Sequence, residues 1–297
     1  MKKYTIDSVD KYNRLYDLKT THPLVSVIDL HKAKKYANDY EFKFEIYGLF
    51  LKRASYCTMK YGRQSYDFQE GSVITVAPGQ TVSISVQPEE ISLDVFGIVF
   101  HPDLIYGTPL ADKILEFGFF NYSETESLHL SLKEREKFMF YYNSIKEEVK
   151  NPVDDHTATL ISMNILMLLE HLERFYERQF TTRHKVNSEI VRDFEKALKQ
   201  FYSEENLLEV PKVNYFAEKA GLSVGYFSDL VKKETGMNAK DMISFHMISE
   251  AKRRLIQSTD DINTIAYKLG FEYPAHFSRS FKRIVGMSPK DFRTQIN

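Results

Sequence analysis

The sequence predicts an α+β chain of two domains: an N-terminal antiparallel β-barrel with following helices, and an all-α C-terminal domain of about seven helices. Three observations carry that expectation. From about residue 20 to 105, apolar and polar residues alternate in short runs bounded by turn residues. From Ser188 onward the apolar residues recur at helical spacing, cut by short turns. Within that second region one segment occurs twice. At 297 residues the chain is also longer than a single small core organises.

Taken in order, the strand-like runs are EFKFEIYGLFL (41–51), GSVITVAPGQ (71–80), TVSISV (81–86) and ISLDVFGIVF (91–100). Val, Ile and Phe stand at every second position, with Gly71 and Pro78-Gly79 as punctuation, which suits half-buried strands of a small sandwich or barrel. Helical patterning begins near Leu110 and is strongest from Asp155 to Phe180. There Ile161, Ile165, Leu168, Leu172 and Phe175 make a heptad-like seam, widened by Leu160, Met163 and Met167. That seam fits a helix packed on its own domain or a dimer helix. The polar stretch TTRHKVNSE (181–189) suits a linker. The expected domains are therefore 1–150, strand-rich; 151–182, helical dimerisation segment and linker; and 183–297. Helices of the last are expected at about 188–202, 211–220, 224–234, 239–257, 262–269, 274–284 and 289–295.

Composition narrows the function classes. Apolar content of 43% and charged content of 27% are those of a folded globular protein. The N-terminus lacks the apolar run of a secretory signal, and no stretch approaches the ~18 apolar residues of a membrane span. Cys57 alone makes neither an intrachain disulfide nor a thiolate metal site, so the expected location is cytoplasmic, with no membrane partner. Net charge is −1, but Pro211–Asn297 holds 14 Lys/Arg against 9 Asp/Glu, leaving 26 against 32 elsewhere. A basic terminal domain on an acidic body is the distribution expected when one domain meets phosphate.

The repeat gives that charge a purpose. Ala217–Asp241 and Ala266–Asp291 align once one residue is added to the second turn. Both read Ala and Lys in a first helix, Gly in its turn, then Phe-Ser, Lys and Gly-Met-x-x-Lys-Asp. A small residue (Ala217, Ala266) allows close helix approach, and a glycine (Gly221, Gly270) supplies the positive φ of a sharp turn. An apolar plug follows (Leu222, Phe271). In the next helix Phe227, Leu230 and Val231, or Phe277, Phe281 and Ile284, form the expected core stripe. The opposite faces, expected to be wet, carry Gly225, Tyr226, Asp229, Lys232 and Lys233, or Ala275, His276, Arg279, Lys282 and Arg283. Each such helix ends at Gly236 or Gly286, and the next opens on Asn238 or Ser288 as N-cap with Asp241 or Asp291 three residues on. Pro289 takes the first helical position, where its missing N–H costs nothing. These are helix-turn-helix units, joined by a long helix from Ala239 to Gln257.

The stretch from Ile265 and Ala266 through Gly270-Phe271, Phe277, Arg279, Phe281-Lys282, Gly286 and Ser288-Pro289 to Phe292-Arg293 resembles the second unit of AraC/XylS family regulators. The resemblance covers about residues 190–296. It departs at Asp229, where the family often has a basic residue, and at Met247, where Arg is common. It implies double-stranded DNA as partner, read by the second helix of each unit. By physical role, Tyr226 and Asp229 (with Gly225) and His276 and Arg279 (with Ala275) are candidates for base edges. Lys232, Lys233, Lys282 and Arg283 are candidates for phosphates. Asp229 would accept from a cytosine amino group, or pair with Lys232 or Lys233.

The organisation of the N-terminal part, with Val73–Gln80 as its clearest echo, resembles the cupin-like sensor barrel of many family members. That resemblance implies a small-molecule effector, a homodimer and recruitment of RNA polymerase. No catalytic site or cofactor is expected. His22, His31, His101 and His129 contain no His-x-His pair, so no metal site is expected either, and no nucleophile elbow, phosphate loop or dinucleotide fingerprint occurs. Cys57 lacks the neighbouring basic or metal-binding cluster that would suit an alkyl acceptor. The expected function is a DNA-binding activator of transcription. The alternatives are a barrel enzyme or small-molecule-binding protein with a DNA-binding appendage, and a regulator whose N-terminal domain binds another protein.

Overall fold

A computed structural model describes residues 2–33, 40–52, 60–61, 64–65, 71–84, 94–123, 126–203, 207 and 209–296. The chain divides into two compact units, Met1–Thr182 and Arg183–Asn297.

The first unit is strand-rich, as the alternation predicts, but its described strands form open sheets rather than the expected barrel. Five strands order as β10-β7-β4-β9-β2: β2 (Val25–Asp29), β4 (Tyr47–Lys52), β7 (Ser72–Val76), β9 (Val95–Phe100) and β10 (Leu128–His129), every neighbour antiparallel. Three more order as β1-β3-β8: β1 (Lys2–Ile6), β3 (Tyr40–Phe44) and β8 (Thr81–Ile84). There β1 runs parallel to β3, a departure from the all-antiparallel expectation. A hairpin pairs β5 (Lys60–Tyr61) with β6 (Gln64–Ser65).

Among the described residues the chain passes between the two larger sheets at two corners. The run 41–51, read as one strand, breaks at Glu45-Ile46, so that β3 and β4 belong to different sheets. The Pro78-Gly79 turn does the same between β7 and β8, and the corners are tied by Gly79 N–H to Phe44 O (2.7 Å) and Phe44 N–H to Gln80 O (2.8 Å). Both sheets contribute to one core with Ile6, Ile28, Phe42, Phe44, Val76 and Val99, capped by Val9, Tyr12 and Tyr16 of a short helix α1 (Val9–Leu15). Gly48 and Gly97 are small because a Cβ on either would lie 2.5–2.6 Å from the Phe50 ring.

Helices α2 (Pro109–Lys113), α3 (Leu132–Glu148) and α4 (Thr157–Thr182) complete the unit. On α3, Ser131 and Glu134 form a capping box, and Arg178 of α4 holds the same Glu134 carboxylate at 2.8 Å. The α4 seam is spent inside the unit: Ile161, Ile165, Leu168 and Leu172 are fully buried. Leu160, Met163 and Met167 stay 48%, 40% and 45% exposed.

The second unit is all helix: α5 (His184–Ser203), α6 (Val213–Ala220), α7 (Val224–Thr235), α8 (Ala239–Gln257), α9 (Ile262–Lys268), α10 (Pro274–Val285) and α11 (Pro289–Ile296). The expected linker at 181–189 is helical except at Arg183, so α5 starts earlier than its apolar pattern suggests. Its first turn is held from outside, by His184 Nδ1 and Ser188 Oγ on the Glu234 carboxylate at 2.7 and 3.0 Å. Among the described residues no helix is long and apolar enough to cross a membrane.

Candidate nucleic-acid interface

The duplication visible in sequence recurs bond for bond. In the first unit Gly221 takes φ +71°, its N–H reaches Glu218 O at 2.9 Å, and Leu222 N–H reaches Ala217 O at 2.9 Å. In the second, Gly270 takes φ +83°, its N–H reaches Tyr267 O at 2.9 Å, and Phe271 N–H reaches Ala266 O at 3.0 Å. Ala217, Ile265 and Ala266 are fully buried, which is what close approach of α6 to α7 and of α9 to α10 demands. α7 and α10 end alike, on left-handed Gly236 and Gly286 whose N–H groups return to Lys232 O (2.9 Å) and Lys282 O (2.8 Å). The helices that follow are capped as expected. Asn238 Oδ1 accepts from Asp241 N–H at 2.8 Å, and Ser288 Oγ from Asp291 N–H at 3.2 Å. Pro289 opens α11.

Phe227 and Phe277 occupy the core positions, joined by Leu230 and Val231 in α7 and by Phe281 in α10. Phe271 packs its ring 5.5 Å from that of Phe277. On the other side of α10, Ala275, His276, Arg279, Lys282 and Arg283 are all exposed, and Arg279 donates a long bond from its Nε to Ala275 O (3.4 Å). On α7, Lys232 and Lys233 are exposed, while Gly225 and Asp229 are half-buried. Two expectations are corrected. Tyr226 lies in the core at 0% exposure and presents nothing to a groove; Ile284, assigned to the core stripe, is 42% exposed. The cause is the number of neighbours. α7 packs against α5, α6 and α8, α10 against α9 and α11. The buried stripe is therefore wide on α7 and narrow on α10.

Two arginines that the residue-by-residue reading passed over hold the scaffold. Arg254 is buried on α8. Its guanidinium meets Glu250 Oε1 at 2.6 Å, Lys268 O at the end of α9 at 3.2 Å and Tyr202 O at the end of α5 at 3.4 Å. Burial alone would raise the Glu250 carboxyl, but hydrogen bonds from Arg253 and Arg254 outweigh it and hold the group below its ordinary value. Arg293 of α11 donates to Leu255 O at 2.9 Å and Asp260 O at 2.6 Å, closing the C-terminal end of α8. The sequence signal for Arg254 is its spacing of four from Glu250; Arg293 stands in the stretch that carries the family resemblance, which gives it no role.

In the strand-rich unit, Met1–Thr182, the four histidines considered as metal ligands lie apart. His22 accepts from Leu24 N–H at 3.1 Å, His31 sits between Asp29 (3.4 Å) and Asp94 (3.2 Å), His101 accepts from Asp103 N–H at 3.2 Å, and His129 meets Ser72 Oγ at 3.0 Å. Among the described residues no cluster of three or more His, Cys, Asp or Glu is placed to hold a metal. Cys57 lies outside the described residues.

A family model described as a helix-turn-helix domain matches residues 216–295. Over 155 residues the chain is 27% identical to the HTH-type transcriptional activator RhaS of Pectobacterium carotovorum, covering 52% of each chain. Over 100 residues it is 35% identical to RhaS of Pectobacterium atrosepticum, covering 33% of each. The match thus spans a third to about half the length of these curated relatives. A solved structure, the C-terminal domain of AraT, a response regulator from Geobacillus stearothermophilus, is 25% identical over 36% of this chain and 84% of that one, at a TM-score of 0.32.

Proposed function

We propose that the whole protein is a sequence-specific DNA-binding regulator of transcription of the AraC type, a reading supported by the helix-turn-helix model matched at residues 216–295. The observation that carries this reading is the pair of equivalent helices, α7 and α10, each with a solvent-facing cationic end. Lys232, Lys233, Lys282 and Arg283 would neutralise phosphates and set position and salt dependence. His276 and Arg279 read base edges, Arg279 best suited to a guanine, with Ala275 against a thymine methyl. In the first unit Gly225 allows close approach and Asp229 accepts from a cytosine. α8 spaces the two helices for successive major-groove turns, ~34 Å apart.

The protein acts as an activator, as the two RhaS relatives are named. In this reading it works in the cytoplasm and contacts RNA polymerase. Its strand-rich N-terminal unit binds a small-molecule effector with different affinity in two states, as any such control requires. It functions as a homodimer, for which the exposed Leu160, Met163 and Met167 of α4 supply a surface.

Selection from a randomised duplex pool tests the reading. A recovered motif is expected, and Arg279→Ala should erase about tenfold of the discrimination at one base pair. Recovery of no motif defeats the reading; an unaltered motif with Arg279→Ala removes that residue from base contact.

A further inference from the structure

The two units differ at one position where physics favours sameness. The residue preceding α7 is Ser223, whose Oγ accepts from Tyr226 N–H at 3.2 Å and so satisfies an end-of-helix donor. Its equivalent before α10 is Tyr273, also extended (φ −124°, ψ 116°), whose side chain makes no capping bond; the His276 N–H is taken instead by Tyr273 O at 2.9 Å. Tyr273 is 54% exposed, and its ring lies 5.5 Å from that of His276 at 55°. The N-terminal end of α10 thus carries an exposed aromatic ring where a side-chain cap would stand, with Pro274 at the first helical position.

The third helical position explains the choice. It is Tyr226 in α7 and His276 in α10. Tyr226 is buried and His276 exposed, so only the second unit presents a side chain there. An exposed imidazole on the first turn of a helix samples several rotamers, and a group that reads a base edge must hold one. Among the described residues, the ring that His276 meets is that of Tyr273.

We infer that Tyr273 is a specificity-determining positioning residue, whose ring orients His276 toward a base edge at the N-terminal end of α10. The inference rests on the DNA-binding reading above. It assigns the sequence preference of the second unit's first turn to a tyrosine–histidine pair rather than to His276 alone. The ring acts, not the hydroxyl.

The full-length chain is used, first with a randomised duplex pool and then with the labelled selected duplex and its single-base variants. Tyr273→Ala should lower discrimination at one base pair by about five- to tenfold, with the slope of affinity against salt unchanged. Tyr273→Phe should behave as the unaltered chain. In a His276→Ala background, Tyr273→Ala should have no further effect. Tyr273→Ser restores the cap of the first unit. It should keep or raise the unfolding temperature while losing the same discrimination, so that stability and selectivity move apart. Equal loss with Tyr273→Phe, a changed salt slope, or additive effects of the two alanine changes would each overturn the inference, making Tyr273 a direct contact. Selective binding by the unaltered chain with no change in Tyr273→Ala overturns it alone. No selective binding by the unaltered chain overturns the parent reading and this one together.

Discussion

Single residues decide whether each unit can turn. Gly221 and Gly270 occupy the same left-handed conformation, yet their surroundings differ. A Cβ at Gly221 meets nothing within 4 Å, whereas one at Gly270 would lie 2.5 Å from the backbone carbon of Glu209. Gly221→Ala therefore loses only the conformational preference, about 1 kcal/mol. Gly270→Ala adds a clash that backbone must move to relieve, and is expected to cost at least ~3 kcal/mol. Thermal unfolding of the two variants checks the order; comparable losses would mean that the segment at Glu209 yields freely. The sequence alignment treats the two glycines as equivalent, and only the approach of residues 209–210 separates them.

Among elements, legibility followed from how local each determinant was. Six of the seven C-terminal helices fall within two residues of expectation, because caps and left-handed glycines mark their ends. The seventh, α5, did not, since its first turn is stabilised by Glu234 of α7 rather than by its own pattern. Tyr226 and Ile284 were misassigned for the related reason that stripe width depends on how many helices pack around an element. Likewise the sheet corners at Glu45-Ile46 and Pro78-Gly79 are long-range outcomes that alternation alone does not encode. Arg254 is where the elements meet, tying α5 and α9 to α8 through contacts whose charge Glu250 balances. The sign of its pH dependence follows. The Glu250 carboxyl sits below its ordinary value of 4.5 in the folded state, so its contribution is complete above that pH and is lost as pH falls through the folded value. Glu250→Gln should lower stability at neutral pH by roughly 2–3 kcal/mol, since a buried guanidinium loses its counter-charge. It should also flatten the acid limb of a stability–pH curve. An acid limb as steep as that of the unaltered chain would assign the dependence to another carboxyl.

For the whole molecule, the question is what the strand-rich unit adds to a unit that already carries both of the helices proposed to face DNA. If α4 pairs two chains, the gain is avidity: the second unit pair binds from an effective concentration, not from bulk, and affinity for a paired site rises by about 10²–10⁴ without any new base contact. The α4 stripe suits that role because Leu160, Met163 and Met167 recur at steps of three and four, while the seam beside them is consumed by the unit's own core. Carboxylates at the stripe would repel across a twofold axis. Met163→Glu with Met167→Glu should therefore convert a dimer to a monomer in sedimentation. Affinity for duplexes bearing two sites should fall by that factor, with affinity for a single site and the selected motif preserved. Loss of single-site affinity as well would show that the substitutions damaged the fold. A full-length chain that sediments as a monomer at concentrations where it occupies paired sites would place dimerisation elsewhere or nowhere, leaving α4's exposed face without this use.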